Sequence, residues 1–123
     1  MTNDRWYRMG KRTARQIFEM QCEICKAMAH PVRLEIVEHL NRGEMAASAL
    51  LAALETSKAN LSKHMTLLMQ VGIVAQRKAG RQAYYSLAHP EIHEACAIMR
   101  SILYSRLKQG EKLAHALGPA RGR

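Results

Sequence analysis

The chain has 123 residues, of which 48% are hydrophobic and 24% are charged, enough for one globular core and too few for two. It carries 19 Lys and Arg residues against 10 Asp and Glu, a formal net charge of +9. Such an excess favours a polyanionic partner, with nucleic acid first and an anionic membrane surface second, although a merely basic soluble protein is the alternative. No apolar run approaches the roughly 20 residues of a membrane span, and the start of the chain does not resemble a signal peptide. We therefore expect a cytoplasmic protein whose thiols are reduced.

The pattern of apolar residues predicts a mainly α protein with a small β-hairpin, in the order of a winged helix-turn-helix. A basic, flexible N-terminal arm is expected over residues 1–11, a single domain over 12–117 and a disordered tail over 118–123. Helices are expected over about 11–29, 31–41, 46–54, 58–70 and from 90 to between 108 and 117, and strands over 73–78 and 82–87.

Local signals fix several of these boundaries. Pro31 suits the first turn of a helix, and Ser57 is a good N-cap for the fourth helix. Gly80 lies in the turn Ala79-Gly80-Arg81 of the predicted hairpin. The predicted buried stripes include Ile24, Cys25 and Met28 of the first helix, Val32, Leu34, Ile36, Val37 and Leu40 of the second, and Leu61, Met65, Leu68 and Met69 of the fourth.

The fourth helix has the division of surfaces that a DNA-reading helix needs, with polar side chains near its N-terminus and an apolar face that anchors it. The predicted hairpin presents cations around a glycine, as a wing that contacts phosphate would. A solvated helix face is the alternative for the helix alone, but two basic elements beside one capped helix favour DNA binding. The candidate DNA contacts are Ser57, Lys58, Asn60, Ser62, Lys63 and His64 in the helix, and Arg77, Lys78, Arg81 and Gln82 in the wing.

Three segments resemble the ArsR/SmtB family of metal-sensing repressors: KAMAHPVRLEIVEHL (26–40), LLAALETSKANLSKHMTLLMQVGIV (50–74) and RKAGRQAYYSL (77–87). The resemblance covers about residues 14–105. It implies a homodimer formed by the first and last helices, which binds palindromic double-stranded operator DNA and releases it when an inducer binds. Glu55 departs from the family, which usually has Gly in that turn, so the turn is either strained or built differently. Arg33 matches a family arginine and is either structural or a phosphate contact.

Members of the family place inducer sites in several positions, and three of these are not complete here. The third helix has no paired cysteines, since residues 44–48 read Glu-Met-Ala-Ala-Ser. On the last helix the segment 91–93 resembles the start of a zinc site, but the second half of that motif is missing. A cysteine pair between the second and last helices keeps only Cys96.

The remaining candidates for an inducer site are Cys22 and Cys25 on the first helix, and Cys96 with His93 on the last. Residues three apart share a helix face, so each pair can point at one spot. Three thiolates suit As(III), and His93 as an optional fourth ligand suits Zn(II) or Cd(II). Oxidation of the thiols is an alternative signal, and cysteines that only fill the core are a further alternative.

The main functional hypothesis is therefore a repressor that leaves its operator when a thiophilic inducer binds. A constitutive DNA-binding protein with structural cysteines is the second hypothesis. A thiol-redox enzyme is disfavoured because the Cys22-x-x-Cys25 motif lies inside a helix and not at a strand-to-helix junction. No phosphate loop or nucleophile elbow occurs either, so we do not expect an enzyme.

Overall fold

The computed structural model describes residues 8–118. Most of the predicted arm and tail, residues 1–7 and 119–123, therefore lies outside the described residues. The chain divides into two compact units, the first up to His89 and the second from Pro90 onward. The predicted domain over 12–117 spans both units. In residues 8–118 the elements are α1 (Lys11–Met28), α2 (Pro31–Leu40), β1 (Met45–Ala46), α3 (Ala47–Ala53), α4 (Lys58–Gln70), β2 (Val74–Ala79), β3 (Gln82–Leu87) and α5 (Glu91–Ala116).

The starts of α2 and α4 follow the predicted local signals. Pro31 occupies the first turn of α2, and the Nδ1 atom of the preceding His30 accepts a hydrogen bond from the Val32 N–H at 3.1 Å. The Ser57 Oγ atom accepts a hydrogen bond from the Asn60 N–H at 3.1 Å, which confirms the predicted N-cap of α4. Both side chains satisfy backbone donors that the first turn of a helix leaves unpaired.

The turn before α4 is built without a left-handed residue. Among residues 8–118 only glycines have a positive φ, so Glu55 is not in the conformation that a family glycine would allow. The sequence left open whether this turn is strained or built differently. The structure shows a differently built turn.

The sheet has three antiparallel strands in the order β1-β3-β2, one strand more than the predicted hairpin. The additional strand β1 pairs Met45 with Tyr85 and Ala46 with Tyr84. The sequence predicts that α3 begins at Ala46, because a strand of two residues is too short to show a repeating pattern. In the predicted hairpin, Ala79 pairs with Gln82, and Gly80 supplies the positive φ of +64° at the first position of the tight turn.

The core of the first unit is mainly aliphatic, with Tyr85 as its aromatic member in the described residues. Ile36, Val37 and Leu40 of α2 are buried as predicted, but Leu34 is 41% exposed. It lies two residues before Ile36, about 200° around the helix, and therefore faces away from the core. Cys25 and Ile24, predicted in the buried stripe of α1, are also exposed, because the buried residues of α1 are confined to Ala27 and Met28 at its C-terminal end. The buried apolar residues are Ala27, Met28, Ile36, Val37, Leu40, Leu50, Leu54, Leu61, Met65, Leu68, Ile73, Val74 and Tyr85.

The second unit is the single helix α5, none of whose residues is buried. Its predicted apolar stripe is present but uncovered, with Met99 at 70% exposure and Leu103 at 52%. None of the helices described in residues 8–118 is both long and apolar enough to cross a membrane.

Candidate nucleic-acid interface

Helix α4 has one face in the core and the opposite face in solvent. Leu61, Met65 and Leu68 are buried at i, i+4 and i+7. Residues 59, 63 and 66 each precede one of these buried residues by two positions, which places them about 200° around the helix from it. All three are exposed. Of the candidate DNA contacts predicted on this helix, the exposed ones are Ser57, Lys58, Asn60, Ser62 and Lys63.

Thr66 belongs to the solvent face of α4 but was missed by the sequence analysis. It follows Lys63 by three residues, and its Oγ1 donates a hydrogen bond to the Ser62 carbonyl at 2.9 Å. Its methyl group is a suitable contact for a thymine methyl. The signal that could have found it is the spacing from Lys63, since residues three apart share a helix face.

The N-terminus of α4 is an electrostatically favourable place for a phosphate. The Ser57 hydroxyl caps one N–H of the first turn, and the remaining N–H groups and the helix dipole favour negative charge there. Lys58 follows the cap directly and is exposed. This end of α4 can therefore position the helix against a DNA backbone.

His64 differs from the other candidates on α4 because it is partly buried. Its ring lies against that of His30, with centroids 4.5 Å apart and planes inclined at 51°. Burial, followed by the charges of His30 and Arg33, lowers the pKa of His64 below its ordinary value of 6.5. Free His64 therefore favours the neutral form at neutral pH.

The wing cations fall into two groups. Lys78, Arg81 and Gln82 are exposed at or beside the hairpin turn. The Arg77 guanidinium donates two hydrogen bonds to Glu44, from Nη2 to Oε1 at 2.7 Å and from Nε to Oε2 at 3.1 Å.

Arg77 also lies over the Tyr84 ring, 4.5 Å from its centroid. The hydrogen bond from Arg77 lowers the pKa of the Glu44 carboxyl. Arg77 was predicted as a phosphate contact, and in the structure it ties β2 to the segment just before β1.

The opposite side of the sheet faces the core. Tyr85 is buried, and its hydroxyl accepts a hydrogen bond from Nε2 of Gln76 at 3.0 Å. Because side chains alternate along a strand, Tyr84 and its cross-strand partner Arg77 lie on the other face. The wing is therefore held from both sides, by Tyr85 in the core and by Arg77 on the outer surface.

The cysteines lie on α1 and α5. Cys22 and Cys25 are exposed and one turn apart on α1, and Cys96 is half-buried on α5, one turn after His93. Within residues 8–118 of one chain, no group of three or more His, Cys, Asp or Glu side chains is arranged to hold a metal ion.

Comparison with known proteins agrees with this architecture. Residues 28–77 match a family model described as a helix-turn-helix domain. The chain is 36% identical over 90 residues to the HTH-type transcriptional regulator Rv0081 of Mycobacterium tuberculosis, covering 71% of this chain and 77% of the relative. The crystal structure of Rv0081 superimposes with a TM-score of 0.69 at 32% identity, covering 76% of this chain and 94% of that one.

Two further proteins show related features. An arsenical resistance operon repressor from Staphylococcus xylosus is 39% identical over 66 residues, covering 54% of this chain and 64% of the relative. The homodimeric winged helix-turn-helix domain of Mb0332 from Mycobacterium bovis, described as a possible ArsR-family regulator, has a TM-score of 0.71 at 24% identity. It covers 83% of this chain and 94% of that one.

Proposed function

The chain belongs to the ArsR/SmtB family of winged helix-turn-helix transcriptional repressors, and from this premise we propose that it binds operator DNA as a homodimer and releases it when a thiophilic inducer reaches its cysteines. The observation that carries DNA binding is the solvent face of α4, where polar and basic side chains lie opposite a fully buried apolar face. This face suits the major groove, and the exposed wing cations suit the flanking phosphates.

The α4 residues and the wing residues have different roles in this proposal. Lys63 and Asn60, with Ser62 and Lys58, supply base contacts, each good bidentate contact being worth about 1–3 kcal/mol. Lys78 and Arg81 contact backbone phosphates. These contacts contribute equally to the affinity for DNA of any sequence. The two classes of contact can therefore be distinguished by comparing the affinities for two duplexes of different sequence.

The experiment is fluorescence anisotropy with DNA from upstream of the protein's own gene and with an unrelated duplex of equal length. Lys63→Ala and Asn60→Ala are expected to reduce the preference for the upstream DNA, while Lys78→Ala reduces affinity for both duplexes. Lys108→Ala, on α5, is the matched control for the loss of one positive charge. Unchanged operator affinity in both the Lys63 and the Asn60 variants would contradict the assignment of α4.

The homodimer is proposed from the uncovered apolar faces of two helices, each considered by itself. On α1, Ile17 is 39% exposed and Phe18 is 46% exposed, and on α5 Met99 and Leu103 are exposed by more than half. Apolar stripes of this kind indicate an interaction surface, and Mb0332, which shares the fold, is homodimeric. In such a dimer two copies of α4 would read half-sites about 34–36 Å apart.

The inducer site is proposed at Cys22, Cys25 and Cys96, with His93 as an optional fourth ligand. Exposure of the two α1 thiols on one helix face supports access by a soft ion, and the S. xylosus relative is named for arsenical resistance. Three sulfur atoms suit As(III), and the addition of an imidazole suits Zn(II) or Cd(II). Ligation about 2.3 Å from one ion would move the helices that close the dimer, and a few kcal/mol of preference for the altered dimer suffices to release DNA.

The sensor is tested by release of the bound upstream duplex with As(III), Cd(II), Zn(II), polysulfide and peroxide in turn. A shared metal or metalloid site requires each of the three thiols, so every single Cys→Ser variant should bind DNA but fail to release it. An oxidant-sensing pair requires only two of the thiols and no metal. If all three single variants still release DNA, the sensor lies elsewhere and DNA binding alone remains.

A further inference from the structure

Three basic side chains come together where the start of α2 meets the middle of α4. His30 precedes α2, Arg33 lies in its first turn and His64 lies on α4. The His30 and His64 rings are in contact, with centroids 4.5 Å apart. Helix α4 packs against α1, α2 and β2, yet the charged groups in the described chain that shift the pKa of His64 are His30 and Arg33, both basic.

The tautomer of neutral His30 is set by its place at the start of α2. Its Nδ1 atom accepts the Val32 N–H, so Nδ1 carries no proton and neutral His30 has its proton on Nε2.

Two nitrogen atoms in the cluster lack a hydrogen-bond partner within the described residues. The Arg33 Nε and the His64 Nδ1 are buried, and neither has a hydrogen-bond partner in the described residues. A buried polar group without a partner is energetically costly, and such groups are uncommon enough to require an explanation. An anion at the edge of this cluster would supply the missing negative charge to both side chains.

The cluster lies beside the face of α4 that is proposed to meet DNA. His64 follows Asn60 by four residues, so the two lie on one side of the helix, and it directly follows the exposed Lys63. His64 as a whole is partly exposed, although its Nδ1 atom is buried. A backbone phosphate of a duplex docked on α4 is therefore the nearest anion of suitable chemistry.

We propose that His64 and Arg33 together hold one backbone phosphate of the bound duplex, and that His64 takes up a proton from solvent as the phosphate arrives. The inference rests on the DNA binding proposed above, and goes beyond it by assigning a phosphate site and a coupling of DNA affinity to pH. Arg33 provides a permanent charge, while His64 provides a charge only in the complex.

The direction of the pH dependence follows from the two states of His64. In the free protein its pKa is below 6.5 because of burial and the two basic neighbours, and a phosphate favours the charged form and raises the pKa in the complex. When the pH is above the pKa of His64 in the complex, or below its pKa in the free protein, DNA binding neither takes up nor releases a proton. When the pH lies between these two pKa values, the affinity for DNA rises as the pH falls, by at most about tenfold per pH unit for each subunit.

The test is anisotropy at constant ionic strength between about pH 5.5 and 8, since His titrates in this range and salt alone changes affinity. The wild type should bind more tightly as pH falls, on an unrelated duplex as well as on the upstream DNA, because a phosphate contact reads no sequence. His64→Gln should flatten the pH profile and lower the affinity at the acid end. His89→Gln, which removes an exposed histidine ahead of α5, is the matched control and should keep the wild-type slope.

A second measurement needs no variant. The ring protons of His64, followed by NMR during a pH titration, should give a pKa below 6.5 in the free protein and a higher pKa in the presence of duplex. A pH slope that survives in His64→Gln, or a His64 pKa that is unchanged by duplex, overturns the inference. If the wild type binds neither duplex at any pH, it is the proposed function that fails, and the two failures are therefore distinguishable.

Discussion

Ser57 contributes both to the stability of α4 and to the proposed DNA interface, and substitution can separate the two contributions. Ser57→Ala removes the acceptor of the 3.1 Å hydrogen bond from the Asn60 N–H. Loss of an N-cap of this kind costs about 1 kcal/mol. In a homodimer both copies unfold together, so the expected loss is about 2 kcal/mol per dimer.

Ser57→Asp keeps the acceptor and adds a negative charge at the positive end of the α4 dipole. We expect its free energy of unfolding to equal or exceed that of the wild type, because an acidic group in this position is worth about 0.3–1 kcal/mol. The same carboxylate would face the DNA backbone, so duplex affinity should fall sharply. Stability and DNA affinity would then change in opposite directions.

The assays are urea unfolding at a fixed protein concentration and anisotropy on the upstream and unrelated duplexes. Ser57→Gly serves as the control, since glycine is an acceptable N-cap and costs only a few tenths of a kcal/mol. If Ser57→Asp binds DNA as tightly as the wild type, the N-terminus of α4 does not approach phosphate. If Ser57→Ala unfolds at the wild-type urea concentration, the cap does not contribute to stability.

Three further predictions concern the wing, the dimer and the core. Lys78→Ala should reduce the slope of the logarithm of DNA affinity against the logarithm of salt concentration by about one unit. Arg77→Ala should change this slope less, because Glu44 already neutralises Arg77. Equal effects of the two substitutions would contradict this. Met99→Glu should give a monomeric mass by sedimentation while Met99→Leu stays dimeric, since charge is not tolerated in an apolar interface. Met65→Ala, at a position with 0% exposure, should cost about 2–5 kcal/mol in urea unfolding, and a loss below 1 kcal/mol would contradict its place in the core.

The helices were predictable because their boundaries are set by residues close to them in sequence. Pro31 begins α2 and Ser57 caps α4, as the sequence indicates. Gly72 follows α4 with a φ of +79°, a conformation that glycine adopts without strain. Each signal acts within one helical turn, so the sequence alone contains what is needed to place these boundaries.

The features that the sequence analysis missed depend on residues far apart in the chain. β1 has only two residues, and its strand character comes from pairing with Tyr84 and Tyr85. The partner of Arg77 is Glu44, 33 positions earlier, and the contact between His30 and His64 joins two different helices. Charge and helical spacing identified Arg77 and His64 as candidates, but only the folded chain shows which groups already act on them.

The proposed cysteine site is different again, because its geometry would depend on the assembly of two chains. Spacing places Cys22 beside Cys25 on one face of α1, and the exposure of both thiols agrees with that placement. The proposed third thiolate, Cys96, lies on another helix, and a dimer offers it from either subunit. No pattern within one chain distinguishes those two sources, so mixed dimers that carry Cys→Ser variants in only one subunit are the informative reagent.

The basic residues behind the net charge of +9 differ in whether other side chains of the protein contact them. Arg77 is fixed by Glu44 and Tyr84, and His64 is held against His30, while Lys63 and Lys78 project into solvent. The fixed groups lose little conformational entropy when DNA binds, whereas an exposed lysine that becomes ordered can lose up to about 2 kcal/mol. In the proposed complex, Arg77 and His64 would already be in position before DNA binds, whereas Lys63 and Lys78 would become ordered on contact with the bases and the phosphates, respectively.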